Sequence, residues 1–273
     1  MNFRSRNGSI DWYSVTLATF FVAVAVYIVA PLIIVIITSF NSAAFGAFPP
    51  EGFSLRWYQR LFDRPEFARG FVNSMIVAVF SSLVAVVAAL LAAIALIRYR
   101  FRGADVLRSF FLSPIVVPKI VLGLAFFILF VRLGIFGDLY SLILAHVVIT
   151  LPFALAVLMG TLSSLDPALE EAAQDLGASH WQVIWHIILP QTRIGMAVAA
   201  IFAFIISFDQ IDTTLFLVRP RINTLPVEMF LYTERDQDLT LTAVSTLLIV
   251  FSMILLLIAR PLVGSVTDIW SRR

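Results

Sequence analysis

Six stretches of this chain are apolar for long enough to cross a bilayer, and that limits the fold more than any other feature. Approximate cores are Val15–Phe40, Phe71–Ile97, Leu107–Val131, Leu139–Leu162, Ile194–Val218 and Leu239–Leu262; a spanning helix needs about 20 such residues. Of the 273 residues, 60% are hydrophobic and 13% charged, more apolar surface than a soluble domain of this length can hide. The expectation is an all-α polytopic membrane protein with six transmembrane helices. Arg4 and Arg6 precede the first run as they would a signal peptide. The run is too long for one and continues through Ile33–Ile37, so it reads as an uncleaved span.

Six spans place both termini on one side. Arginine near span ends marks the cytoplasmic side, and Arg4, Arg6, the cluster Arg98, Arg100 and Arg102, and Arg260, Arg272 and Arg273 all fall there. Arg56, Arg60, Arg64 and Arg69, between the first two spans, oppose that bias, but the tight cluster at Arg98–Arg102 outweighs them. The division expected is a cytoplasmic tail at 1–14, a permease domain at 15–262 and a second tail at 263–273. Trp12, Trp57, Trp181, Trp185 and Trp270 lie outside the apolar cores, where interfacial anchors belong. Asn41–Arg69 and Arg219–Asp238 are the substantial extracytoplasmic segments.

Several function classes drop out. Cysteine is absent, so no disulfide or thiolate metal site forms. His146, His180 and His186 make no ligand cluster, and His146 reads as a hydrogen-bonded packing residue. A net charge of +2 argues against a nucleic-acid partner. The single lysine, Lys119, follows Pro118 in an apolar segment and belongs to no glycine-rich phosphate loop. No catalytic residue is assigned. If ATP drives this protein, another polypeptide binds it.

Between the fourth and fifth spans lies a polar island, residues 163–193. Asp166 before Pro167 starts a helix, and Glu170 and Glu171 sit early in it, where the dipole favours anions. Gly177 permits a left-handed exit. A second helix with Trp181, Trp185 and Ile187 follows, and Pro190 is expected to end it. Small Ala172 and Ala173 allow another backbone to approach. With Asp166, Glu170, Glu171 and Asp175 on its polar face, such a hairpin would be repelled by an anionic leaflet and suits a groove on a soluble partner instead.

Glu171-Ala172-Ala173, three residues, Gly177, nine residues, Ile187, one residue, then Leu189-Pro190 resembles the EAA loop of ABC importer permeases at every position. The likeness extends over nearly the whole chain and is strongest to the second permease of spermidine/putrescine-type transporters. It implies a MetI-like permease fold in a bacterial inner membrane. It also implies a coupling helix seated in a cleft on a cytoplasmic ATPase dimer that carries the ATP and Mg. Two further partners follow: a second, homologous permease subunit and an extracytoplasmic solute-binding protein.

Asp209 and Asp212 stand in the fifth apolar run, three residues apart, which would place them on one helix face. Charge within a span usually serves a cavity or a partner, so Asp209 and Asp212, with Phe208 and Gln210, are candidates for a translocation path. Polyamine-type permeases, which this segment resembles, carry an aspartate after Ser-Phe in that region. The structural alternative pairs Asp209 with Lys119. Relatives of this type often have an acid where Lys119 stands; a lysine suits a carboxylate or phosphonate, so an amino-acid derivative or opine competes with a polyamine as solute. An ion-coupled secondary transporter would use Asp209, Asp212 and Lys119 as a relay but leaves the polar island unexplained. Pro114, Pro118, Pro152 and Gly123 are expected to kink spans three and four, and the small residues of Ser81–Ala95 to pack tightly.

Overall fold

The computed structural model describes residues 12–43, 49–99, 101–236 and 238–270, with 259–270 described by backbone alone. Arg4, Arg6, Arg100, Arg272 and Arg273, on which the sidedness argument leaned, lie outside these residues. Every regular element described is helical: α1 (Trp12–Ser39), α2 (Arg56–Phe62), α3 (Pro65–Arg98), α4 (Ala104–Leu112), α5 (Lys119–Leu133), α6 (Leu139–Ser163), α7 (Ala168–Asp175), α8 (His180–Val183), α9 (Leu189–Phe208), α10 (Leu225–Arg235) and α11 (Thr240–Trp270). Among the described residues five helical stretches are long and apolar enough to cross a membrane, or six if a sharply bent pair is one span.

That pair is the third expected span, broken where Pro114 and Pro118 are expected to kink it. α4 runs on into a tight turn at Ser113–Ile115, and the chain then bends by 101° into α5. Pro114 and Pro118 supply no N–H, and Pro118 pushes the residue before it out of the helical region. Leu107–Val131 is therefore a broken element, with the break at the two prolines and none at Gly123, which lies inside α5. Pro152, also expected to kink its span, sits inside the unbroken helix assigned to α6.

The fifth span is shifted as well. It runs from His180 to Phe208, beginning within the polar island and ending ten residues before Val218. Pro190 does not end the second island helix. A π-helical turn at Ile184–Ile188 joins α8 to α9, with Pro190 in the first turn of α9. In an uninterrupted α-helix the Pro190 ring would collide with the His186 carbonyl; the wider turn just upstream accommodates it.

The described residues form two compact units, one drawn from 12–64 and 232–256 and the other from 65–231 and 257–270. In the second unit α3, α6 and α9 pack on one another. Lipid gives helices no hydrophobic reason to associate, so close packing of small side chains does the work. α3 buries Ser74, Ala78, Ser81, Ser82, Ala85, Ala89 and Ala93 at helical spacing, as the composition of Ser81–Ala95 predicts. Where α9 crosses α6, a Cβ on Gly195 would collide with the Thr161 side chain, so only glycine fits that approach.

In the first unit, Trp57 is 3% exposed and donates its indole N–H to the Asn41 carbonyl at 2.8 Å. Its ring is packed inside this unit. Arg60 reaches Asp238 at 3.1 Å and Asp236 at 3.9 Å, and Arg64 reaches Asp236 at 3.7 Å. The Tyr232 hydroxyl donates to both Asp238 carboxylate oxygens at 3.0 Å. Burial pushes the Asp238 carboxyl up, but Thr240, Tyr232 and Arg60 outweigh it and hold the group below its ordinary value.

Candidate functional site

The polar island is built on α7 and α8. The Asp166 carboxylate accepts the Ala168 N–H at 3.0 Å, the cap that Asp-Pro predicts. Gly177 has φ +89°, and the Ala178 N–H returns to the Ala173 carbonyl at 3.0 Å, closing α7 with a left-handed cap. A Cβ at Gly177 would meet nothing within 4 Å; what the site demands is conformation, not space. α8 opens with a capping box between Ser179 and Gln182. Ser-His-Trp-Gln shows that signature in sequence, and the reading above missed it.

The seven residues of the EAA pattern divide in two. Glu171, Ala172, Gly177 and Pro190 are exposed. Ala173, Ile187 and Leu189 pack instead against the α3–α6–α9 core, so their apolar character anchors the hairpin. Glu170 departs from its expected place on the polar face. Its Oε1 accepts from Arg98 Nε and Nη2, both at 2.8 Å, with the two side chains only 12–13% exposed. The outer surface is left with Glu171, Ala172 and the large apolar side chains Leu169, Leu176, Trp181 (67% exposed) and Trp185 (61% exposed). Beside it, a recess of about 240 Å³ is lined by Arg98, Tyr99, Glu170, Glu171, Gln174 and His180 among others.

The candidate path residues do not share a helix face. α9 stops at Phe208, and Asp209 to Thr213 form turns. Thr214 donates to the Gln210 carbonyl at 2.8 Å. Thr213 donates to the Lys119 carbonyl at 2.9 Å, which joins this turn to the start of α5. Gly123 also lies against Thr213 and Phe216, with room for no Cβ. Lys119, Asp209 and Asp212 are thus brought to neighbouring segments and are all exposed. No ion pair within 4.0 Å joins Lys119 to either aspartate, so the Lys119–Asp209 pair is not formed. Phe208 is half-buried, with rings of Phe204 at 5.7 Å and Phe71 at 6.0 Å, and Gln210 is buried.

Behind the turn lies a polar chain that sequence spacing could not reveal. His146, 1% exposed, has Nδ1 at 2.7 Å from Ser207 Oγ and Nε2 at 2.9 Å from Thr214 Oγ1. Ser81 Oγ lies 2.9 Å from Ser207 Oγ. The Thr214 hydroxyl spends its proton on the Gln210 carbonyl, so it must accept from Nε2–H. Nδ1 then accepts from the Ser207 hydroxyl, which fixes the tautomer. The expectation of a hydrogen-bonded packing histidine holds: its partners come from α9 and the turn at 214, and Ser81 of α3 extends the chain through Ser207. Among the described residues no group of three or more His, Asp or Glu is placed to hold a metal.

Comparison with known proteins follows the same lines. Residues 85–266 match the family described as "Binding-protein-dependent transport system inner membrane component". The chain is 31% identical over 238 residues, 87% of its length and 90% of the relative's, to the "Spermidine/putrescine transport system permease protein PotC" of Escherichia coli. It is 30% identical over 230 residues, 82% of each chain, to the "Putrescine transport system permease protein PotI" of the same organism. Its fold superposes with TM-score 0.72 and 18% identity, over 97% of this chain and 99% of the other, on a chain of a bacterial ABC transporter involved in the import of the acidic polysaccharide alginate.

Proposed function

The chain belongs to the family of binding-protein-dependent transport system inner membrane components, and from that premise we propose that it forms half of a translocation path driven through α7 and α8 by a cytoplasmic ATPase. It is a multi-pass protein of the bacterial inner membrane and a permease subunit rather than an enzyme. ATP and Mg act on the partner ATPase dimer. A second, homologous permease completes the path, and an extracytoplasmic binding protein delivers the solute to the side that carries Arg60 and Asp238. Both termini and residues 163–193 face the cytoplasm.

The observation that carries this reading is the hairpin surface. Small, acidic and aromatic side chains (Glu171, Ala172, Trp181, Trp185) stand exposed on a hairpin tied to α3 through Arg98–Glu170. An exposed apolar surface on a firmly held support suits a partner's groove. Swinging a path between 1:99 and 99:1 takes about 5.5 kcal/mol of differential binding, which a loose loop would dissipate. The chain has no native cysteine, so Ala172→Cys offers a single reactive thiol. A short maleimide–benzophenone reagent attached to it should photocross-link to the ATPase in the assembled complex, and absence of that product in a complex that still transports would defeat the coupling role.

The names of the relatives support a small polar or charged solute of polyamine type, which would pass Phe208, Asp209, Gln210, Asp212 and Lys119. One observation favours a second reading. Lys119 is exposed and, among the described residues, forms no ion pair, so it presents a cation that suits an amino-acid derivative, opine or phosphonate. Thermal-shift screening of the cognate binding protein against polyamines and against these acids separates the two.

A further inference from the structure

Gln210 is 2% exposed, and both atoms of its side-chain amide are buried without a hydrogen-bond partner. Its backbone is well served: the N–H donates to the Ser207 carbonyl at 3.3 Å and the carbonyl accepts from Thr214 Oγ1 at 2.8 Å. The defect is confined to the side chain. It falls in the non-helical turn after α9, between the exposed carboxylates of Asp209 and Asp212. Buried amides in native proteins are nearly always paired, and an orphan marks strain, a ligand or a moving part.

We propose that Gln210 is a gating residue: its amide is sheathed without partners in this conformation and gains them from the hydrated polar solute when the 209–216 turn moves. The amide supplies two donors and an acceptor, so it serves a solute carrying either kind of group. While sheathed it raises the free energy of the resting arrangement and holds the path ready to open. His146, bonded to Ser207 and Thr214 on either side of Gln210, defines the arrangement to which the turn returns. This deepens the assignment of residues 208–213 to the path and rests on it.

The test uses the full complex with its ATPase and binding protein in proteoliposomes, and the absence of native cysteine in this chain. Gln210→Cys should react with a water-soluble maleimide during turnover and stay unreactive at rest; equal reaction in both states, or none in either, overturns the gate. Asp209→Cys, already exposed, should react in both states. If neither cysteine reacts in a complex that transports, the assignment to the path fails instead. A second variant guards against a misfolded cysteine mutant. Gln210→Leu removes the orphan while keeping similar bulk. It should raise the melting temperature of the complex and slow uptake about tenfold, within the range an unpaired buried amide is worth. A lowered melting temperature, as when a hidden water already pairs the amide, or wild-type uptake, overturns the proposal.

Discussion

Arg98 and Glu170 stand 72 residues apart in sequence, and both Arg98 Nε and Arg98 Nη2 meet Glu170 Oε1 at 2.8 Å. This pair joins the last turn of α3 to the first turn of α7, and both side chains are largely withdrawn from water. Removing one partner strands the other, which costs far more than an exposed pair is worth. Glu170→Ala should destabilise the complex by about 3 kcal/mol and reduce the ATPase stimulation caused by loaded binding protein. Arg98→Ala should do the same, and the double variant should cost less than the sum of the two. Strict additivity in the double-mutant cycle would show that the contact carries no coupling.

Gly177→Ala introduces strain without collision, because the left-handed conformation disfavours a Cβ by about 1–2 kcal/mol while the surrounding space is open. Uptake should fall several-fold with normal membrane insertion. Gly160→Ala is the control: Gly160 lies inside α6 with nothing within 4 Å of its added Cβ. That change should leave uptake intact and stabilise by up to about 1 kcal/mol. Equal behaviour of the two variants in a paired uptake assay would refute the conformational argument.

His146→Leu removes the ring bonds to Ser207 and Thr214, which keep only Ser81 and the Gln210 carbonyl as partners, at a cost of about 1 kcal/mol for each bond lost. Thermal unfolding of the purified complex should show the loss. His146→Gln keeps a donor and an acceptor near the Nε2 position and should recover part of it. A leucine variant as stable as the parent would mean that the chain from Ser81 to Gln210 does not hold the turn.

Acidification should loosen the cluster around Asp238. Its folded pKa is held below the ordinary carboxylate value, so its contribution is present above that ordinary value and is lost as pH falls through the lowered one. The melting temperature should drop more steeply on acidification in the parent than in Asp238→Asn, which has no such proton to take up. Parallel curves would remove Asp238 as the source.

Much of this architecture is legible in residue order. Runs of apolar residues locate most membrane helices, and Asp-Pro, Gly177 and the small-residue stripe of α3 report their own roles because each acts on its immediate neighbours. What hydropathy could not resolve is where an apolar run changes conformation. Leu107–Val131 remains hydrophobic across its bend, and in Ile194–Val218 apolar residues resume after the polar turn at Asp209–Thr214, since the burial of Leu217, for example, does not depend on helical geometry. Pro190 misled for a related reason: its clash is local, but the π-helical turn that relieves it is set by the residues upstream. The partners of Glu170 and His146 lie 61 to 72 positions away, beyond any periodicity in the chain.

The π-helical turn at Ile184–Ile188 houses one residue more than the α-helical turn it replaces. One residue corresponds to a rotation of about 100° around the helix axis. The face bearing Trp181 is therefore out of phase with the membrane helix that follows. Excising a single residue within the turn would restore the common period and swing the tryptophan through roughly that angle, with every other side chain unchanged. The aim of the hairpin is thus encoded as an angular offset, written in chain length rather than in the chemistry of any one group.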